Sequence, residues 1–488
     1  MNADRHENSA QTAHRAVNRC SSILLAAWLT GCARFASQPI SPADTAARLD
    51  ARRLDDAGLK KFLERNRGHV LETWPLKVWD FETLTMAAFY FNPSLDVARA
   101  QWNATQASLQ TAGGRPNPTL NLTPGYDFSA ASGLSPWIPF LSVDVPVETA
   151  GKRGRRIAKA AHLSESSRLN IATVAWHVRR NVRGSLLDFT VADRRATVRE
   201  QQIRVQEQIV SLLEQRLAVG AISRPDLTAA RIALNKTRLE LGDAHSKRAE
   251  ARARLAEAIG VGATALEGAE LWFDFADRSP DGLTSADARR IALRGRSDIL
   301  SALGDYAAAE AELGLQIAKQ YPDVHLSPGY QYDQGDNKWT LGIVLELPVL
   351  NHNQGPIAEA RARRDEAAAR FTEVQAKVIG EIDRAGAAYR AAREQLTTSD
   401  ALFAAAQQQH QSAEAQLKAG ATDPLDRLTA EFELGVAALA KLDGRTTMQQ
   451  SIGALEDALQ RPIDSKELTN STALLLNTAQ NPPERSAK

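Results

Sequence analysis

The stretches "NPTLNLTPGYDFS", Asn117–Ser129, and "YPDVHLSPGYQYD", Tyr321–Asp333, align without gaps at an offset of 204 positions. Pro118 falls on Pro322, Leu122 on Leu326, and Pro124-Gly125-Tyr126 on Pro328-Gly329-Tyr330. In both, the apolar period is two. Leu120, Leu122, Tyr126 and Phe128 share one side against Asn121, Thr123 and Asp127. Val324, Leu326, Tyr330 and Tyr332 oppose His325, Ser327, Gln331 and Asp333. Strict alternation is the mark of a strand with two unlike faces. A partner strand follows each: Leu141, Val143, Val145 and Val147 alternate in the first, and Trp339, Leu341, Ile343 and Leu345 in the second. Strands of about ten residues, apolar on one side and polar on the other, suit a membrane-spanning β-sheet.

The repeat extends outward from these strands. "NPSLDVARA", Asn92–Ala100, falls on "RSDILSALG", Arg296–Gly304. "RRIAKA", Arg155–Ala160, falls on "GPIAEA", Gly355–Ala360, and "RLAVGAISRPDL", Arg216–Leu227, on "QLKAGATDPLDR", Gln416–Arg427. The chain is therefore two copies of one unit, each read as helix, two strands, very long helix and return helix. The first unit spans 81–270, with its hairpin at 118–147 and its helical hairpin at 150–260. The second spans 271–465, with a hairpin at 322–348 and a helical hairpin at 354–460. A linker, 32–80, precedes them, and a tail, 466–488, follows.

In the first unit the pattern predicts one helix from Phe81 to about Gly113, and another from Arg155 to Val219. Ile171, Val174, Val178, Val182, Leu186 and Phe189 step by three and four along it, a coiled-coil stripe. Gly220 ends that helix; Ser223 caps the next, with Pro225 in its first turn. Gly420, Thr422, Asp423 and Pro424 copy the turn in the second unit.

Composition agrees with long helices: aromatics make up 6% and net charge is +1, with no pull toward nucleic acid. The two cysteines, Cys20 and Cys32, allow no disulfide framework. Nine scattered histidines and three methionines suggest no protein-held metal cluster. No GxSxG, HExxH or phosphate-loop motif is present, so no catalytic residue is named. Arg15 and Arg19 precede the short apolar run Ser21–Cys32, the form of a secretory signal over 1–31. Its ending, Leu29-Thr30-Gly31-Cys32, resembles a lipobox, which makes Cys32 the lipidated residue and Ala33 a marker of outer-membrane sorting.

Four strands cannot close a membrane barrel, because open edges leave backbone groups unpaired in lipid. Two copies would give eight strands; three would give twelve and a pore.

This order of elements behind a lipobox resembles the TolC-like outer-membrane efflux protein family, over roughly Phe81–Leu459. "NPSL" (Asn92–Leu95), "RSDI" (Arg296–Ile299) and "LPVLNHNQGPIAEARAR" (Leu347–Arg363) carry the resemblance. "VPVETAGKRGRRIAKA" (Val145–Ala160) looks like the subgroup serving heavy-metal efflux of the cobalt–zinc–cadmium type. The resemblance implies an α+β membrane protein: a homotrimer with a twelve-stranded barrel, continuous with a twelve-helix periplasmic coiled-coil tunnel. It also implies a passive conduit that docks to a periplasmic adaptor and an inner-membrane proton-driven pump of the RND type, with a covalent lipid as the sole prosthetic group. Drugs or other small organic compounds are the alternative substrates. The rival reading is a lipid-anchored coiled-coil scaffold.

The resemblance further implies an acidic ring at the periplasmic tip. Asp426 falls on its first position and Thr429 on its second, leaving Asp423 and Glu431 as substitutes and Asp226 as the repeat equivalent. A first-turn acid that stabilises its own helix is the competing reading, favoured for Asp226. Gly220, Gly420, Arg216, Leu217 and Leu417 are the tip positions expected to meet the adaptor. Gly151, Lys152, Arg153, Gly154, Arg155 and Arg156, with Gly355 in the second copy, mark the strand-to-helix junction. There the glycines would allow the bend and the basic side chains would reach lipid headgroups.

Overall fold

The computed structural model describes residues 35–275 and 286–462. The expected signal segment with Cys32, and the whole of the C-terminal tail, lie outside the described residues. The chain divides into two compact units, up to Ala51 and from Arg52 onward. The described part of the first is one helix, α1 (Pro42–Asp50), started by Ser41, whose hydroxyl accepts from the Asp44 amide.

The second unit opens with α2 (Ala57–Arg67), β1 (Val78–Trp79), α3 (Phe81–Phe91) and α4 (Pro93–Gly113). The stretch from Arg52 to Asp80 is thus not a linker. Leu59, Phe62 and Leu63 lie on one face of α2, and Leu59 and Leu63 are fully buried, as is Trp79 to within 1%. The single helix expected from Phe81 breaks at Asn92. Pro93 cannot donate to the preceding turn and forces the residue before it out of helical geometry.

The strands β2 (Thr119–Thr123) and β3 (Phe140–Val147) follow, then the long helix α5 (Lys152–Ala218) and the return helix α6 (Arg224–Ile259). A short 3-10 turn (Ala263–Leu266) leads to β4 (Glu270–Leu271), which pairs in parallel with β1. The second copy comprises α7 (Ala286–Gly295), α8 (Ser297–Ala318), β5 (Val324–Asp333), β6 (Asp336–Leu345), α9 (Gln354–Lys418) and α10 (Pro424–Leu459). The two long helices have 67 and 65 residues, each about 100 Å at 1.5 Å per residue.

The four long strands form one antiparallel sheet in the order β2-β3-β5-β6. The second hairpin has the expected ten-residue strands. Gln334 and Gly335, both at positive φ, form the tight two-residue turn whose twist matches the strands. The first hairpin is shorter. Beyond Thr123 the ladder stops at Pro124, and only a bridge between Tyr126 and Trp137 continues it. Pro136 and Pro139 remove donors from the facing segment.

Apolar side chains knit the helices along the expected stripe. Ile171, Val178, Val182 and Leu186 of α5 are buried with Leu255, Ile259, Leu59 and Trp79. In the second copy Val378, Ile382 and Tyr389 of α9 meet Ile452, Leu455 and Leu459 of α10. The repeat is visible down to single hydrogen bonds. The Asn92 amide donates to the Ala258 carbonyl at 2.8 Å, and the Arg296 guanidinium donates to the Ala458 carbonyl at 2.6 Å.

Candidate functional site

Three places in the second unit hold the residues singled out from the sequence: the sheet, the sheet-to-helix junction and the helical tips. On the sheet, Leu120, Leu122, Leu141, Val145, Leu326, Leu341, Ile343 and Leu345 share one face, and all are exposed. At the hairpin ends Tyr126 stacks edge-on against Phe128 and Trp137, each 4.9 Å away, and Tyr330 lies 5.1 Å from Trp339. Trp339 is 81% exposed and Phe128 95%. An apolar band that ends in amphipathic aromatics matches a lipid-facing barrel wall. The other face carries Thr119, Asn121, Asp144, His325, Ser327 and Gln331. The outer edges of β2 and β6 have no ladder partner among the described residues.

The junction corrects the sequence reading. Lys152 does not reach toward headgroups; it is buried, and its Nζ donates to Asp323 Oδ1 and the Tyr321 carbonyl, both at 2.7 Å. Burial pushes the Asp323 carboxyl up, but hydrogen bonds from Lys152 and the Thr149 amide outweigh it and hold the carboxyl below its ordinary value. Arg156 pairs with Glu148 and also donates to the Gly114 carbonyl at 3.1 Å; Arg153 donates to the Gly113 carbonyl at 2.7 Å. The Arg156 hydrogen bond holds the Glu148 carboxyl below its usual range. Arg155 packs against Gly314 of α8. These side chains satisfy the carbonyls that end α4 and clamp the two copies together. Exposed C-terminal carbonyls attract cations more strongly than distant headgroups do. Gly151 sits at the bend with φ 70°, as expected, whereas Gly154 lies within α5. In the second copy Asn353 takes the left-handed position, and Gly355 lies within α9.

At the tips, Gly220 and Gly420 adopt φ 73° and 68°. Their amides donate to the Leu217 and Leu417 carbonyls, both at 3.0 Å, closing the same turn twice. Leu217 packs with Ile222 and Leu425 around Leu213 and Leu227. The four acidic candidates separate by environment. Asp226 accepts from the Ser223 amide at 3.0 Å and the Ser223 hydroxyl at 2.6 Å, which hold its carboxyl down and identify it as a helix cap. Glu431 pairs with Arg427 one turn away at 2.8 Å. Asp426 is exposed and accepts from the Thr422 hydroxyl at 2.7 Å. Asp423 alone of the four bonds across hairpins: it pairs with Arg216 at the end of α5, while its other oxygen caps the Leu425 amide at 2.8 Å. The Arg216 hydrogen bond, then that amide, hold the Asp423 carboxyl below its ordinary value.

One cluster escaped the sequence reading. Arg179 and Arg183 of α5 converge on Glu456 of α10, at 3.1 and 3.7 Å, and the Arg183 guanidinium also donates to the Gln449 carbonyl. The Arg179 guanidinium lies 4.8 Å from the Phe81 ring centre. The signal is in the sequence: two arginines four apart, Arg179 and Arg183, directly follow the apolar stripe residues Val178 and Val182. Beside them, burial pushes the Asp457 carboxyl up to about 7, against the pull of Arg179 and Arg180. An acid raised on folding contributes stability that is complete below its unfolded value near pH 4 and is lost as pH rises through 7. Asp457→Asn is therefore expected to stabilise the protein by ~2–4 kcal/mol at pH 8 and by little at pH 4. Denaturation at both pH values checks this; an equal effect at both would refute it.

The sequence profile of the outer membrane efflux protein family matches residues 88–261 and 288–460, the two repeats seen in the structure. The chain is 27% identical over 282 residues to the cobalt-zinc-cadmium resistance protein CzcC of Cupriavidus metallidurans, covering 57% of this chain and 64% of that one. It is 23% identical over 320 residues to the probable outer membrane lipoprotein SilC of Salmonella typhimurium, covering 59% and 63%. The chain thus spans a little under two thirds of the length of these curated relatives. Among solved structures, the outer membrane protein VceC of Vibrio cholerae superposes with a TM-score of 0.64 at 21% identity, covering 79% of this chain and 97% of that one. With both matched stretches coinciding with its repeats and together spanning more than two thirds of its length, the chain belongs to the outer membrane efflux protein family, which places it in the outer membrane with its helices extending into the periplasm.

Proposed function

We propose that three copies of this chain share one twelve-stranded barrel above a twelve-helix tunnel, and that the trimer is the passive exit duct of a three-part efflux system. The observation that carries this reading is the four-stranded sheet. It has an exposed apolar face, a polar face and two edges unpaired among the described residues, a combination that is stable in lipid only once the edges are closed by further copies. Exposed Ile232 and Leu239 on α6 support the same assembly. A periplasmic adaptor would meet the Gly220 and Gly420 turns, and an inner-membrane proton-driven pump would supply the energy. Similarity to a cobalt-zinc-cadmium resistance protein favours divalent metal cations over organic compounds as cargo. Cys32 carries the lipid; metabolic palmitate label that persists in Cys32→Ala would refute this.

The experiment is planar-bilayer conductance of detergent-purified protein, with unboiled and boiled samples compared on a gel. A heat-labile trimer with conductance is the expected result. A monomer that stays silent, even when its tip is loosened, would favour the scaffold.

The Arg216–Asp423 pair is the proposed clamp on the tip, because it ties α5 of one hairpin to α10 of the other. Arg216→Ala is expected to raise mean conductance several-fold, as loss of a fixed charge pair lets the helix ends part. Asp226→Ala, which removes only a cap, is expected to leave it unchanged. Equal conductance in Arg216→Ala and the unaltered protein would eliminate the clamp.

A further inference from the structure

On the polar face of the sheet, near its helical end, three side chains from two strands meet. His325 Nδ1 lies 2.9 Å from Asp144 Oδ2, and the Ser327 hydroxyl donates to Asp144 Oδ1 at 3.0 Å. The ladder explains the meeting. Pro146 pairs with His325 and Ser142 with Gly329, so Asp144 faces Ser327 and stands diagonal to His325. Thr119 of β2 is the register partner of Asp144 on its other side. The imidazole is about 40% exposed, and its Nε2 makes no hydrogen bond among the described residues.

An imidazole that donates one ring N–H to a carboxylate has its tautomer and orientation set, and the other nitrogen presents its lone pair outward. That is the arrangement in which histidine binds divalent metal ions, the carboxylate raising its basicity. The carboxylate also draws cations. The acids just below it, Asp323 and Glu148, already have Lys152 and Arg156 as partners. Among the described residues Asp144 has no Lys or Arg in contact.

We infer that His325, oriented by Asp144, is a cation contact on the barrel wall that takes divalent ions of the zinc type one at a time through Nε2. Among the described residues no group of three or more His, Cys, Asp or Glu could hold a metal ion, so water completes the coordination shell. A partial shell suits a duct: an ion in transit must bind well enough to enter and weakly enough to leave. Three copies would line the lumen with three such contacts. The inference rests on the channel reading for the direction of the polar face and for the class of cargo.

The test does not need conduction. Detergent-purified full-length protein is titrated with Zn²⁺ in competition with a chromophoric chelator. One weak site per chain is expected. His325→Ala should remove it. His325→Gln, which can still hydrogen-bond to Asp144 and keeps the sheet closed, should remove it too. Asp144→Asn should weaken it about tenfold, the usual cost of losing the partner that orients a ligand. His245→Ala, on the exposed side of α6, should change nothing. Zinc binding that is equal in the unaltered protein and His325→Gln would overturn the inference, as would no stoichiometric binding at all. Conductance of the same preparation reports separately on the channel, so a conducting protein without the zinc site would sink this inference alone.

Discussion

Glu456→Ala is expected to destabilise the folded chain by about 3–5 kcal/mol, because it takes away the carboxylate on which buried Arg179 and largely buried Arg183 converge. Glu456 and Arg179 are both buried, with side chains 7% and 8% exposed. The pair joins α5 of the first copy to α10 of the second, so its loss loosens the body where the repeats meet. The neighbouring Asp457 adds a second expectation. With its carboxyl pushed up to about 7, Asp457 is largely neutral at pH 5 and offers no replacement charge. At pH 8 it ionises and partly substitutes. The cost of Glu456→Ala should therefore be larger at pH 5 than at pH 8. Glu456→Gln, which keeps an acceptor oxygen, should cost less than Glu456→Ala. Urea denaturation followed by helical circular dichroism measures all three. A loss below 1 kcal/mol at both pH values would show that the cluster is solvated in a way its burial does not suggest.

Gly260→Ala carries the second large effect, about 2–4 kcal/mol. Gly260 ends α6 with φ 90°, which costs any residue with a Cβ about 1 kcal/mol. The larger part is steric. A Cβ there would stand 2.8 Å from the Phe91 carbonyl oxygen and 2.9 Å from the Asn92 Cα, both backbone atoms at the α3–α4 break. Neither can swing aside as a side-chain tip could. The Arg52 guanidinium donates to the Phe91 carbonyl at 2.6 Å and to the Gly260 carbonyl at 2.8 Å, so the two segments are held at contact distance. Gly220→Ala is the control. Its φ is also left-handed, but no atom lies within 4 Å of the added Cβ, so only the conformational part should appear. If the two variants melt alike, the close approach has no energetic weight. The second copy solves the same problem differently: Gln460 takes the left-handed position, and its side chain accepts from the Ser297 amide at 2.8 Å and hydroxyl at 2.9 Å.

The architecture was legible where the sequence carries a local period. Alternation along Val324–Asp333 predicts a strand, and the structure has one over those ten residues. Leu120 and Leu122 alternate as clearly, yet their strand is five residues long, because prolines limit what alternation can propagate. The α2 helix falls in a stretch that reads as linker, although Leu59, Phe62 and Leu63 have helical spacing; eleven residues give too little periodic signal to stand out. At the tips, Gly220, Gly420, Ser223 and Pro424 announced both turns. Of the four acids near them the sequence favours a capping role for Asp226, and only the Arg216 partner marks Asp423 as the contact across hairpins.

By itself, the sequence determined that this protein is two copies of one unit, that each copy has a two-faced hairpin and a helical hairpin about 100 Å long, and where each turn falls. Those properties depend on residues within a few positions of one another: the period of a strand, the stripe of a helix, the glycine and cap of a turn. The tertiary structure alone decided what the charged residues do. Lys152 meets Asp323 across 171 positions, Arg216 meets Asp423 across 207, and Arg179 meets Glu456 across 277. A charge has no preferred partner at a distance along the chain. Its role is set by whichever opposite charge the packed helices bring within about 4 Å, and by how much water they leave around the pair.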